Sequence, residues 1–263
     1  MKLSVVIITL NEEKNIGRCL QSVKEVADEI VVVDSFSTDK TEDICKGFAT
    51  KFIKHKFEDY VSQKQFAVEQ CSFDYVLSID ADEALDETLK QEILNIKSIP
   101  TNNNSHNLAD AYAFRRITNY CGERWIKHCG WYPDWLVRLF NKNKGTFQGI
   151  YIHEKVNLPE SSKIVRLSGH LLHYSYYTIN DHIEQIRKFT DLTALSYVKR
   201  KKTISLAGVM IRPFWTFIRE YILQLGFLDG YSGWKICKMS AFATFIKYVK
   251  VRELQKHNSN SEN

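Results

Sequence analysis

The sequence predicts an α/β fold, a mostly parallel central sheet flanked by helices, on three observations. Four short apolar runs, Leu3–Leu10, Ile30–Val33, Lys51–Ile53 and Tyr75–Ile79, have the length of strands, and most are rich in β-branched residues. Segments with helical spacing of apolar residues separate them, and that alternation implies parallel pairing through right-handed crossovers. Three of the runs end in polar or acidic residues, Asn11-Glu12, Asp34 and Asp80-Ala81-Asp82. A sheet of this kind collects such endings along one edge, beyond the carboxyl ends of its strands, where ligands bind.

The first run is continuous, as expected of a strand covered on both faces. Asn11-Glu12-Glu13 breaks it, and Ile16, Cys19, Leu20 and Val23 then recur at helical spacing. The second strand ends at Asp34. After the loop Ser35–Thr38, Asp39 and Glu42 predict a capping-box-like start to a helix that closes near Gly47. A third strand at Lys51–Ile53 and a helix over Tyr60–Gln70 lead to the stretch Phe73–Glu83, whose strand ends in Asp80, Asp82 and Glu83. Carboxylates one residue apart repel. A hard divalent cation, Mg²⁺ or Mn²⁺, relieves that repulsion by taking one or two carboxylates and filling its other positions with phosphate oxygens and water.

A helix over Glu87–Lys97, an Asn-rich loop at Pro100–Asn107 and a strand at Ala111–Thr118 come next. Between Cys129 and Glu154 the chain turns aromatic and glycine-rich, with Gly130-Trp131-Tyr132-Pro133-Asp134-Trp135 at its start. Rigid rings there suit a platform for a flat ligand such as a sugar ring, and they equally suit core packing. Of His170 and His173, the first reads as a structural hydrogen-bonder. Ile179–Tyr197 is a polar amphipathic helix, and residues 204–250 interleave Phe214, Trp215, Phe217, Tyr221, Phe242 and Phe245 with Lys and Arg. Basic amphipathic helices with aromatic faces read as membrane-surface elements; the pattern also fits a helical appendage packed on the main domain.

The totals exclude several classes. The net charge of +5 is regional, since residues 195–253 hold eleven Lys or Arg against three Asp or Glu. A nucleic-acid protein spreads its basic surface through the main fold, so nucleic acid is not an expected partner. The six cysteines are scattered without a Cys-x-x-Cys pair and read as reduced thiols of a cytoplasmic protein. Met1-Lys2 leads straight into the first strand, so no signal peptide is expected. No run approaches the roughly twenty apolar residues of a membrane span. The first strand is followed by neither Gly-x-Gly-x-x-Gly nor Gly-Lys-Ser/Thr, so dinucleotide and P-loop readings lack their phosphate-cradling glycines.

Ser4–Glu13, Val31–Thr41 and Ser78–Glu83, in that order, resemble the family 2 glycosyltransferases of the GT-A fold. Trp131–Phe140 with Ile152-His153-Glu154 further resembles a bacterial subgroup that includes lipopolysaccharide inner-core β-glucosyltransferases. The resemblance implies a GT-A domain over 1–178, with a nucleotide-sugar half to about 100 and an acceptor half beyond it. An amphipathic helical region over 179–254 and a disordered tail over 255–263 follow. It implies a UDP-sugar donor lying against Thr9, Asn11, Glu12, Asp34, Gln63, Lys64, Asp80 and Ala81, with a solvent-facing Lys64 as the alternative. A divalent metal held by Asp80, Asp82 and His153 would stabilise the diphosphate leaving group as a Lewis acid.

Family 2 enzymes invert at the anomeric carbon, which needs a general base. Asp134, four residues before Arg138, matches the family's position, although Pro133 stands where the family carries an acid; Glu154 is the rival. Arg138 would neutralise phosphate or orient the base. The implied acceptor is a saccharide or lipid-linked glycan of the bacterial envelope, met by a peripheral enzyme on the anionic cytoplasmic face of the inner membrane. The alternatives are a nucleotidyl- or phosphotransferase of similar sheet architecture, or a catalytically inactive carbohydrate-binding homologue. The first lacks its phosphate loop here, and the second would not need Asp34, Asp80 and Asp82.

Overall fold

A computed structural model describes residues 1–48, 50–99, 108–149, 154–200 and 203–261. The chain forms two compact units, Met1–Ile117 with Asp134–Tyr174, and Thr118–Pro133 with Ser175 onward.

In the first unit, strands β1 (Leu3–Thr9), β2 (Glu29–Asp34), β3 (Lys51–Lys54) and β4 (Tyr75–Asp80) run parallel in the order β3-β2-β1-β4. Their runs lack polar alternation because both faces are covered. Val5, Ile7, Leu77 and Ile79 pack with Ile16, Cys19 and Leu20 of α1 (Ile16–Val23) and with Leu89 and Ile93 of α4 (Glu87–Ser98). Val6, Val31, Val33 and Val76 pack on the other face with Ala67 and Val68 of α3 (Tyr60–Glu69). The second helix, α2 (Thr41–Lys46), departs from the expected capping box: Asp39 accepts from the Thr41 amide and hydroxyl instead, and Gly47 closes the helix.

Beyond β4 the sheet continues through β8 (Asp134–Asn141), antiparallel to β4, then β6 (Ala111–Tyr120), antiparallel to β8, then β11 (Ile164–Tyr176), and ends at β5 (Glu83–Leu85), antiparallel to β11. Tyr112 pairs with Leu139 and Ala113 with Val137, so Arg138 is the extra residue of a bulge in β8. Bulges re-aim side chains, and this one sends a guanidinium towards the end of β4. Gly169 lets β11 approach α4, since a Cβ there would lie 2.3 Å from the Leu89 nitrogen. β9 (Thr146–Gln148) and β10 (Lys155–Asn157) form a separate pair.

In the second unit β7 (Arg124–Trp125) hairpins onto the end of β6. Helix α5 (Ile179–Lys199) opens on a Thr178–Asp181 capping box. Then follow α6 (Leu206–Ile218), a π turn at Arg219–Leu223, a 3-10 turn at Gly226–Asp229 and α7 (Gly230–Ser261). Two expected boundaries differ. Residues 118–133 belong with the helices, because the buried Asp229 accepts from the Lys127 and His128 amides and Glu123 pairs with Lys235. And α7 continues to Ser261, into the segment read as a disordered tail, carried by the helix formers Arg252-Glu253-Leu254-Gln255-Lys256.

Candidate active site

The loops after β1 and β2 are fastened together by side chains rather than by glycines. Asn11 adopts a left-handed φ of 54°, which Asn tolerates better than most residues. Its Oδ1 accepts from the Thr38 amide at 2.8 Å, and its own amide donates to Ser37 Oγ at 2.8 Å. Asp34 is fully buried and accepts from the Ser37 amide at 2.8 Å and from the Ser37 hydroxyl. Gln63, also buried, donates to Ser35 Oγ at 3.1 Å and pairs with His55 Nδ1 at 2.8 Å. The hydroxyl of buried Thr9 has no hydrogen-bond partner among the described residues, as expected where a ligand would supply one. Glu12 bonds Asn15 Nδ2 at 2.7 Å. Burial pushes its carboxyl up to about 7 against that bond, with Asp82, Asp39 and Asp80 adding to the rise. Ala81 turns its methyl into the core, so only its backbone faces the edge.

The three acids after β4 acquire three different sets of partners. Asp80 is clamped by Lys64 Nζ at 2.9 Å and Arg138 at 3.1 Å. Burial alone would raise its carboxyl; these two cations overturn that and hold it well below the ordinary carboxylate range. Lys64 is 1% exposed, which rules out the solvent-facing reading, and its second partner is Glu154 at 2.7 Å. Glu83, on β5, accepts from the Asp80 amide at 2.9 Å and faces Arg138 and Arg116 at 3.5 and 3.4 Å. Asp82 lies 3.2 Å from Nε2 of His173 on β11, where β5 pairs Glu83 with His173.

Asp134 opens β8, its Oδ2 2.9 Å from Arg116 and its side chain 37% exposed. Of the two candidate bases it is the more accessible, since Glu154 is 15% exposed and committed to the buried Lys64 ammonium. His153 lies outside the described residues. His170 bonds Asp86, the N-cap of α4, at 3.1 Å, the structural role its sequence context suggested. Sequence reasoning missed Arg116, gave His173 no role, and read Glu83 only as one of three clustered acids. Trp131 packs among Tyr120, Tyr176 and His182 in the second unit, where His182 is buried and its imidazole is lowered to about 4.

No group of three or more His, Cys, Asp or Glu side chains among the described residues forms a ready metal cage. Asp82 and His173 do fit part of one: a carboxylate and an imidazole side by side and partly exposed, the pattern of a cation that leaves its other positions to phosphate and water.

The model of the family described as glycosyl transferase family 2 matches residues 4–222. An uncharacterized glycosyltransferase of Rickettsia typhi is 33% identical over 261 residues, covering 96% of this chain and 87% of its own. The lipopolysaccharide core biosynthesis glycosyltransferase LpsC of Rhizobium meliloti is 29% identical over 262 residues, covering 95% and 92%. Among solved structures, S. aureus TarS 1-349 in complex with UDP-GlcNAc aligns over 98% of this chain and 92% of its own, with a TM-score of 0.47 at 16% identity. A family match over most of the chain and relatives aligned along nearly all of it agree with the motif edge built by β1, β2 and β4: the chain belongs to glycosyltransferase family 2 and has its GT-A fold.

Proposed function

We propose that this glycosyltransferase is an inverting enzyme that moves a hexose from a UDP-sugar to a saccharide or lipid-linked acceptor. The acceptor would belong to bacterial envelope synthesis of the kind named for the R. meliloti relative. The observation that carries the reading is the division of labour among the acids. Asp80 is clamped ionised between Lys64 and Arg138, Asp82 stands beside His173, and Asp134 stays accessible on Arg116.

In this reading Thr9, Asn11, Glu12, Asp34 and Gln63 shape the nucleotide edge, with the Thr9 hydroxyl available to the base or ribose. Asp82 and His173 would hold Mg²⁺ or Mn²⁺, which when bound supplies Lewis-acid stabilisation of the departing diphosphate. Asp134 takes the acceptor hydroxyl's proton as the acceptor oxygen bonds the anomeric carbon and the bond from that carbon to the UDP oxygen breaks. Arg116 orients the Asp134 carboxylate through Oδ2, and Arg138 and Lys64 keep Asp80 charged beside the site. Glu154 anchors Lys64 and is not the base. The reaction is assigned to the cytoplasmic face of the inner membrane, where a basic segment meets anionic lipid.

A thermal-shift panel of UDP-sugars with Mn²⁺ tests the donor, because a ligand of the native state raises its stability by mass action. The expected outcome is stabilisation by one or a few UDP-sugars, slow UDP release from them, and a β-linked product from an α-linked donor. Retention of configuration would refute inversion, and indifference to every UDP-sugar would refute the donor.

A further inference from the structure

The second unit exposes an apolar surface for which the transfer chemistry has no use. Helix α6 carries Leu206, Met210, Ile211, Phe214 and Trp215 outward, Phe214 68% and Trp215 54% exposed, while Val209 is its one fully buried side chain. At about 100° per residue these five occupy roughly half of the helix circumference. The π turn after it adds exposed Leu223. A water-facing surface rarely carries so many large apolar side chains together. With 13 residues α6 is far too short to span a bilayer, and no helix among the described residues is long and apolar enough to cross one.

Charge distinguishes between the two coverings available, a second copy and a lipid surface. Residues 195–253 hold eleven basic and three acidic side chains, and two of those acids, Glu220 and Asp229, are buried. A second copy would set this positive excess against itself; an anionic bilayer would attract it. We propose that α6 lies in the plane of an anionic membrane with its apolar face inserted at the headgroup–acyl boundary. This deepens the membrane part of the proposed function and rests on it for the acceptor's location.

Charge and apolar area contribute separately to the attachment. Many of the basic side chains are engaged within the unit: Lys235 with Glu123 at 2.8 Å, Lys250 with Asp191 at 2.7 Å, Arg219 with Glu220 at 3.0 Å, and Arg252 with the Ile204 carbonyl at 2.9 Å. Their charge steers the protein to the surface, and the inserted side chains hold it there. Salt, which screens the first contribution and not the second, weakens the attachment without abolishing it.

The test is sedimentation of the full-length protein with phosphatidylglycerol–phosphatidylethanolamine vesicles and with phosphatidylcholine vesicles, at low and at high salt. Wild type should bind the anionic vesicles at both salts, and brominated lipids in them should quench its tryptophan fluorescence. Phe214→Ser/Trp215→Ser should bind on the order of tenfold more weakly or worse, having lost two large anchors. It should keep the wild-type melting temperature and wild-type UDP release from the donor in solution. Complete release by salt, binding by the variant equal to wild type, or absence of quenching overturns insertion. A wild type that ignores vesicles, whether monomer or dimer by light scattering, overturns the membrane as the occupant. Failure to release UDP from any UDP-sugar would refute the transferase proposal and leave the vesicle result standing.

Discussion

Replacing Lys64 by Met removes the cation at the centre of the acid network and should destabilise the first unit by about 2–4 kcal/mol. Deleting one partner of a buried ion pair typically costs about 3–5 kcal/mol, because the remaining charge is left uncompensated. Lys64 is 1% exposed and serves two carboxylates, at 2.9 Å on Asp80 and 2.7 Å on Glu154. Two features bring the expected cost down to about 2–4 kcal/mol. Asp80 keeps Arg138 at 3.1 Å, and its side chain is 25% exposed, so water recovers part of the loss. Methionine replaces most of the aliphatic stem, so little packing is lost. The main cost falls on Glu154, 15% exposed and deprived of its ammonium. Hydrogen exchange of the β1 and β4 amides, with denaturant unfolding beside it, measures the effect. Lys64→Met/Glu154→Gln should recover a substantial part, because an amide replaces the stranded carboxylate. A loss under about 1 kcal/mol in the single variant, or a double variant no better than the single, would refute the view that Lys64 exists to neutralise both acids.

Asp82→Ala and His173→Ala should each abolish the Mn²⁺-dependent part of donor stabilisation and slow transfer on the order of a hundredfold or more; full turnover in EDTA would sink the metal assignment. Asp134→Asn should lower transfer about 10²–10⁴-fold with UDP-sugar affinity near wild type, whereas Glu154→Gln should act mainly on stability; the reverse pattern would make Glu154 the base. His182 gives a pH signature, because burial lowers its imidazole from 6.5 to about 4. Above pH ~6.5 neither state binds this proton, and between ~6.5 and ~4 only the unfolded state does, so stability falls as the pH falls. Below ~4 the loss levels off at about 3 kcal/mol. His182→Gln should flatten that part of the stability profile, and parallel wild-type and variant curves would remove His182 as its source.

The parallel half of the sheet was legible because its signals are local. A strand buried on both faces must be continuously apolar, and Val31, Val32 and Val33 are all fully buried. Likewise Ile16, Cys19, Leu20 and Val23, spaced for one helix face, are the buried residues of α1. The handedness of the crossovers then fixes which strand ends share an edge, so the sequence alone groups Thr9, Asp34 and Asp80. What stayed hidden depends on antiparallel pairing between distant strands. His173 reaches Asp82 because β11 pairs with the three-residue β5, and Arg116 reaches both Glu83 and Asp134 from β6. Neither relation leaves a periodic trace in the sequence. Helix α6 was ambiguous for a different reason: its apolar residues cover more than one face, so their spacing could not say which was buried.

In sequence, Asp80, Asp82 and Glu83 form one acidic cluster, and a single cation is the simplest way to relieve it. In the fold each has its own means of relief. Asp80 has two cationic side chains, Glu83 has a backbone amide and two arginines, and Asp82 has an imidazole. Only Asp82 is compensated by a group that can join it in binding a metal, since ammonium and guanidinium offer no lone pair. The two short-range cations also mean that Asp80 is ionised before any divalent ion arrives. Asp80 can then tune the field of the site without being a ligand, so Asp82→Asn should weaken Mn²⁺ binding far more than Asp80→Asn. Isothermal titration of Mn²⁺ in the presence of UDP measures the two affinities, and equal losses would return Asp80 to the ligand set.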